Sequence, residues 1–167
     1  MKTFFIADLH FSDINIMKYE NRPFDSLELM NEKIVENWNR TVSNDDKIFL
    51  LGDIGKIDYI SQLNGTKYLI KGNHDVDGNE YYRNHGFSEV YDLPVIYKEF
   101  WILSHEPLYV NKNMPYANIF GHVHSNPNYN SISSHGFCVS AERIDYTPID
   151  LETIKSEILK CETKLEA

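Results

Sequence analysis

An α/β fold is the class this chain predicts, and three observations carry it. Short apolar runs rich in β-branched and aromatic residues recur at 1–7, 47–51, 67–70, 100–103 and 118–120. Stretches with apolar residues at helical spacing alternate with them, which is the mixture α/β domains are built from. At 167 residues, 42% apolar and 13% aromatic, the chain can bury a substantial core, and without linkers, repeats or low-complexity runs it reads as one domain over 1–167.

Taken in order, Met1 to Ala7 is a buried-strand run that stops at Asp8. The segment from Ser12 to Arg22, with Asn15 and Tyr19, reads as a loop. Leu27, Met30, Ile34, Val35 and Trp38 mark one face of a helix within 24–42, with Asp25 and Glu28 as its expected capping pair. Lys47 to Leu51 is a second strand and ends in Gly52-Asp53; a helix over 58–63 precedes the third, Lys67 to Ile70, which ends in Gly72-Asn73-His74-Asp75. A short helix spans Glu80 to His85, and Phe100 to Leu103 leads into His105. Asn118 to Phe120 leads into Gly121-His122-Val123-His124, and Phe137 to Ser140 is a further strand. Leu151, Ile154, Ile158 and Cys161 stripe a last helix, whose apolar face packs on its own sheet or, as the lesser alternative, seams a dimer.

The residues that carry chemistry stand directly after these strands. Asp8-x-His10, Asp53, Asn73-His74-Asp75, His105 and His122-x-His124 each occupy a strand's carboxyl end, where ligands of open α/β sheets collect. Residues two apart in an extended chain point to one side, so Asp8 and His10 can grip one ion together. Hard carboxylate oxygens and borderline imidazole nitrogens in this number suit a pair of divalent cations. Any one of these residues alone reads better as a turn or cap; jointly they read as a site. His85 and His135 each precede a glycine and read as turn residues, and Glu106 beside His105 reads as structural.

Charge and cysteine usage narrow the partners. A net charge of −9, from 16 Lys and Arg against 25 Asp and Glu, disfavours extended nucleic acid, while a small phosphorylated substrate can still be drawn to a cationic centre. Cys138 and Cys161 form no metal-type spacing and read as free thiols. No apolar run approaches 18 residues and no signal-peptide pattern opens the chain, so the expectation is a cytoplasmic protein without a membrane contact, monomeric or homodimeric.

The order D-x-H, G-D, G-N-H-D, H, G-H-x-H, spanning residues 8 to 124, resembles the calcineurin-like metallophosphoesterase superfamily. Asp8-Leu9-His10-Phe11, Asn15-Ile16 and Asn21-Arg22-Pro23-Phe24 are similar to its small single-domain bacterial and phage branch, although Ser12-Asp13 stands where that branch has Gly-His. The resemblance implies two mixed β-sheets packed face to face with flanking helices, a four-layer α/β/β/α sandwich. It implies one metal on Asp8, His10, Asp53 and His124, and a second on Asp53, Asn73, His105 and His122, with Asp53 shared. Manganese is the favoured ion, with Fe, Zn²⁺, Co²⁺ and Ni²⁺ as alternatives, since the donors are oxygen and imidazole with no thiolate. The implied activity is phosphoester hydrolysis by a metal-bridging hydroxide, with His74 as general acid and Asp75 orienting its ring. Asn73 and Arg22 are the candidate substrate contacts, Arg22 because a guanidinium suits phosphate oxygens the metals leave free. A phosphodiesterase on a small phosphorylated or nucleotide substrate is the leading function. Phosphomonoesterase, pyrophosphohydrolase and nuclease activity share the same site, and a non-catalytic interaction scaffold is the remote alternative.

Overall fold

A computed structural model describes residues 1–111 and 113–165. Its strands are β1 (Thr3–Ile6), β2 (Lys47–Leu50), β3 (Thr66–Ile70), β4 (Phe87–Tyr91), β5 (Val95–Tyr97), β6 (Trp101–Leu103), β7 (Ala117–Phe120), β8 (Ile132–Ser133), β9 (Gly136–Cys138) and β10 (Ile149–Asp150). The helices are α1 (Ile14–Tyr19), α2 (Leu27–Thr41), α3 (Asn79–Asn84) and α4 (Leu151–Leu165), with 3₁₀ turns at Ile57–Gln62 and Ala141–Ile144.

The strands form two mixed five-stranded sheets, β10-β1-β2-β3-β4 and β5-β6-β7-β9-β8. In the first, β1 to β4 run parallel and β10 is antiparallel to β1; in the second, β6, β7 and β9 run parallel between antiparallel β5 and β8. Side chains alternate across a strand, so β1 serves both faces of its sheet. Phe4 and Ile6, with Ile48, Leu50 and Leu69, pack on Met30, Ile34 and Trp38 of α2. Phe5, Phe49, Leu51 and Ile70 face the second sheet's Trp101, Leu103, Ile119 and Phe137. The apolar stripe of α4, Leu151, Ile154 and Ile158, is buried in that same inter-sheet core, against its own sheets.

Several elements differ from the sequence expectation. α2 is capped by Ser26, whose hydroxyl accepts from the Leu29 N–H at 3.2 Å, and not by Asp25. The segment read as a loop contains α1, which packs only partly buried Met17 on the core and is held at its start by Asp13, whose carboxylate accepts from the Asn15 and Ile16 N–H groups. The helix expected at 58–63 is a 3₁₀ turn. Strands β4, β5, β8 and β10 carry no readable sequence signal: β4 has a broken apolar alternation, and the others are two or three residues long.

The two sheets meet where β1 ends. Ala7 donates its N–H to Val139 O at 2.9 Å and accepts from Ala141 N at 3.0 Å, so the carboxyl ends of parallel strands from both sheets reach one edge.

Candidate metal centre

At that edge the backbone turns sharply. Asp8, His10, Asp53, His122 and His124 all have positive φ, between 44° and 68°, a region L-residues avoid unless their surroundings impose it. The turns are held by cross-strand bonds from Asp8 N to Gly52 O and His10 N to Asp53 O, both 3.0 Å. Strand ends approach so closely that glycine is required: a Cβ on Gly72 would stand 2.7 Å from Asp53 N, and one on Gly52 would stand 2.6 Å from Gly72 N.

Two groups of donor atoms converge here. Asp8, His10, Asp53 and His124 each offer one ligand atom within 4.8 Å of the others. His10 Nε2 is buried, lies 3.4 Å from Asp53 Oδ2 and has no hydrogen-bond partner among the described residues, which is the condition of a nitrogen facing a cation. Beside them, Asn73 Oδ1 lies 3.0 Å from His105 Nε2 and 3.1 Å from His122 Nδ1, and those two nitrogens are 3.0 Å apart. His105 Nδ1 donates to Leu51 O at 2.8 Å, so in the neutral ring Nε2 is the unprotonated atom. Its lone pair therefore faces the Asn73 carbonyl oxygen, His122 Nδ1 and, at 3.5 Å, Asp53 Oδ2. Ligands about 2.1 Å from one ion sit roughly 3 to 3.5 Å from each other, so both groups have the spacing of a coordination shell.

Electrostatics mark the same residues. Burial raises the Asp8 carboxyl above its ordinary range, against the nearby imidazoles of His124 and His105. Burial also pushes Asp53 up, but contacts with His10 and His105 and the His74 N–H at 3.0 Å outweigh it and hold the carboxyl at about 2. A divalent ion adds the positive charge that such buried carboxylates lack.

Two sequence expectations are corrected. Arg22 is buried and does not face substrate: its guanidinium donates to Asp8 O at 2.6 Å, Leu9 O at 2.7 Å and, from Nε at 2.9 Å and Nη2 at 2.7 Å, to Glu142 Oε1. Asp75 does not orient the His74 ring, because both its oxygens are spent on backbone: Oδ2 accepts from Asp53 N at 2.7 Å and Gly72 N at 2.8 Å, and Oδ1 from Ile54 N at 3.1 Å. It staples the Asp53 and Asn73 loops together. His74 is exposed, its ring edge-on to His10 with centroids 5.3 Å apart, and its ring nitrogens hydrogen-bond to no described residue.

Glu142 escaped the sequence reading. Its Oε1 accepts from His124 Nδ1 at 3.1 Å as well as from Arg22, and these contacts hold its carboxyl at about 2 although burial pushes it up. A carboxylate behind a ligating imidazole fixes the ring's tautomer and orientation. A signal exists, since Glu142 comes after the strand run ending at Ser140 as the ligands come after theirs. Asp13 takes a similar position 3.5 Å from His10 Nδ1, at the place where the branch pattern is broken. Asn15 is exposed on α1, Glu106 is exposed beside His105, His85 bonds Tyr81 O at the end of α3, and His135 bonds the Ser134 hydroxyl.

The chain matches the calcineurin-like phosphoesterase family over residues 1–164. It belongs to that family. This phosphoesterase is 32% identical over 174 residues to the uncharacterized protein MJ1445 of Methanocaldococcus jannaschii, covering 95% of its own length and 92% of the relative. The Gene 66 protein of Mycobacterium phage L5 is 33% identical over 82 residues, 44% of this chain and 39% of that protein. Among solved structures, the protein of unknown function AQ665 from Aquifex aeolicus aligns with a TM-score of 0.70 at 25% identity, over 93% of this chain and 98% of that one. The Pseudomonas putida nuclease MPE shares the fold with a TM-score of 0.51 at 21% identity, over 73% of this chain and 61% of that one. Family and site together make the phosphoesterase a metal-dependent hydrolase of phosphoric esters. No described helix is long and apolar enough to cross a membrane.

Proposed function

We propose that this chain is a dinuclear phosphodiesterase acting on a small phosphodiester of the nucleotide type. The observation that carries the dinuclear reading is Asp53 Oδ2, which lies 3.4 Å from His10 Nε2 in the first donor group and 3.5 Å from His105 Nε2 in the second. A carboxylate so placed has lone pairs enough for two ions and a charge that offsets their repulsion. Oxygen and imidazole donors without thiolate suit manganese, with Fe, Zn²⁺, Co²⁺ or Ni²⁺ able to take the same ligands. Bound there, divalent ions supply Lewis acidity to phosphoryl oxygens and make a deprotonated water available near neutral pH.

The chain's own residues do the rest. Asp8, His10, Asp53 and His124 hold the first ion and Asp53, Asn73, His105 and His122 the second, with Asn73 contributing a neutral oxygen that leaves more positive charge for the phosphate. Exposed His74 carries a proton on a ring nitrogen to the departing alkoxide oxygen, a step typically worth about 10²–10⁴-fold in rate. That role suits esters with poor alkoxide leaving groups, nucleotide diesters among them.

The test compares bis-p-nitrophenyl phosphate with p-nitrophenyl phosphate, using metal-stripped protein with and without added Mn²⁺. Metal-dependent preference for the diester is the expected result; on a dinucleotide, whose leaving group is an alkoxide, His74→Ala should lower turnover about 10²–10⁴-fold with metal content near that of the parent, and much less on the p-nitrophenyl ester, whose leaving group needs little protonation. Turnover that persists after metal is verified absent would sink the mechanism. Failure on both esters with two ions bound would favour the scaffold reading.

A further inference from the structure

Two cavities flank the metal centre, and they differ in the side chains that line them. The smaller, about 290 Å³, lies beside Asn73 and His105 and includes Lys71, which pairs with Asp92 at 3.0 Å. The larger, about 540 Å³, opens beside His122 and His124 and is closed by the end of α1, with Tyr19, Glu20, Asn21 and Tyr129 on its wall. A phosphoryl group seated on the metals directs its substituent into one of these spaces, and 540 Å³ is within the range of small-ligand pockets.

We infer that the larger cavity is a nucleoside subsite, in which the base stacks on Tyr19 or Tyr129 and donates a hydrogen bond to Glu20. The inference rests on the phosphodiesterase reading and narrows its substrate class.

The lining excludes a second phosphate. No lysine or arginine lines the cavity among the described residues. The nearby Arg143 is spent on the loop that forms its wall, donating to His124 O, to Asn126 O at 2.7 Å, to Tyr129 O at 3.0 Å and to the Ser131 hydroxyl at 2.7 Å. Instead the cavity holds a carboxylate: Glu20 stands within 4.8 Å of a His124 ring nitrogen and is fixed by Ser125, whose N–H and hydroxyl both donate to its Oε2. A carboxylate offers about four lone-pair sites, so acceptor capacity remains after those two bonds. It repels anions and pairs with N–H donors such as a base amino group.

Shape points the same way. Tyr19 is 80% exposed and Tyr129 46% exposed, and both rings stand on the wall of this one cavity. Exposed rings at the mouth of a cavity are stacking platforms for flat π-systems. Neutral, flat and rich in N–H donors describes adenine, guanine and cytosine; a pyrophosphate or a plain sugar phosphate satisfies only part of the wall.

Binding of GMP, AMP and CMP to the Mn²⁺-loaded protein, measured by titration calorimetry against ribose 5-phosphate and inorganic phosphate, tests the subsite. The expected result is that at least one nucleotide binds about ten-fold or more tightly than ribose 5-phosphate. Tyr19→Ala or Tyr129→Ala, at exposed positions that folding tolerates, should remove that advantage, and Glu20→Gln should weaken GMP more than inorganic phosphate. Nucleotides binding no better than ribose 5-phosphate, or an advantage that survives all three substitutions, would overturn the subsite. If the parent protein still cleaves bis-p-nitrophenyl phosphate in that case, the phosphodiesterase reading stands without it; absence of both phosphate binding and cleavage removes the two together.

Discussion

The two halves of the metal centre are built differently. On one side Asp8, His10 and Asp53 are almost wholly buried, and a further layer of charged groups stands behind them: Arg22 on the Asp8 and Leu9 carbonyls, Glu142 on His124, and Asp13 beside His10. On the other side Asn73 is exposed and His122 half-exposed, and His105 alone has a fixed partner for its second nitrogen, Leu51 O. On the proposed dinuclear reading the first half is therefore preorganised for its ion, whereas in the second an ion would itself have to hold Asn73 and His122 in place. Affinity rises with preorganisation, so the first ion should bind more tightly than the second.

The largest expected break in this asymmetry comes from Arg22. Its side chain and that of Glu142 are 0% and 6% exposed, so Arg22→Ala leaves a buried carboxylate with His124 but without its cation, and takes the donor from two backbone carbonyls. Breaking such a pair costs about 3–5 kcal/mol, readable as a lowered denaturation midpoint of the metal-free protein. Replacing both partners, Arg22→Met with Glu142→Leu, should restore much of that stability because no charge is left unpaired. Metal affinity should not return with it, since His124 Nδ1 then lacks its acceptor, a loss of about 10–100-fold at the first site. Recovery of both together would make Arg22 a stability element with no bearing on the centre.

Next in size is the loss of a ligand from each half. His124→Ala should weaken the tighter ion by about 100-fold or more, while His122→Ala leaves that ion in place and weakens only the looser one. Metal content after dialysis at graded free Mn²⁺ separates these outcomes. Equal loss of both ions in both variants would mean the halves fill as one unit through Asp53.

This asymmetry also explains what the sequence could disclose. Candidate donors at strand ends are legible because the apolar run that makes the strand passes directly into the polar residue that ends it, as at Asp8, Asp53 and His122. Residues that act through others are not, because their partners are remote in the chain: Arg22 meets Glu142 across 120 positions, and no local pattern encodes that contact. Arg22 misleads for that reason, its charge suggesting phosphate where its surroundings supply carbonyls and a carboxylate. Asp75 misleads because adjacency to His74 suggests a pair, whereas the close approach of Gly72 to Asp53 leaves N–H groups that need an acceptor first. In the fold, long amphipathic α2 and the buried strands are visible, while edge strands of two or three residues carry too few side chains to show a period.

The smallest effect probes the backbone itself. His122 sits at φ +68°, a conformation that costs a residue with a Cβ roughly 1–2 kcal/mol, whereas Asn73 across the same half has no positive φ. In the metal-free protein His122→Gly should therefore be more stable than His122→Ala by about 1 kcal/mol, because both remove the half-exposed ring and only glycine relieves the turn. At Asn73 the order should reverse, with glycine less stable than alanine by about 0.5–1 kcal/mol through its greater freedom when unfolded. Thermal denaturation of the four variants resolves differences of this size as shifts of about 2–4 °C in Tm. Opposite signs at the two positions would show that the exposed half stores strain at His122 that a second ion would have to offset on binding, whereas the same sign at both would leave that turn relaxed and a weaker affinity there to be explained by exposure alone.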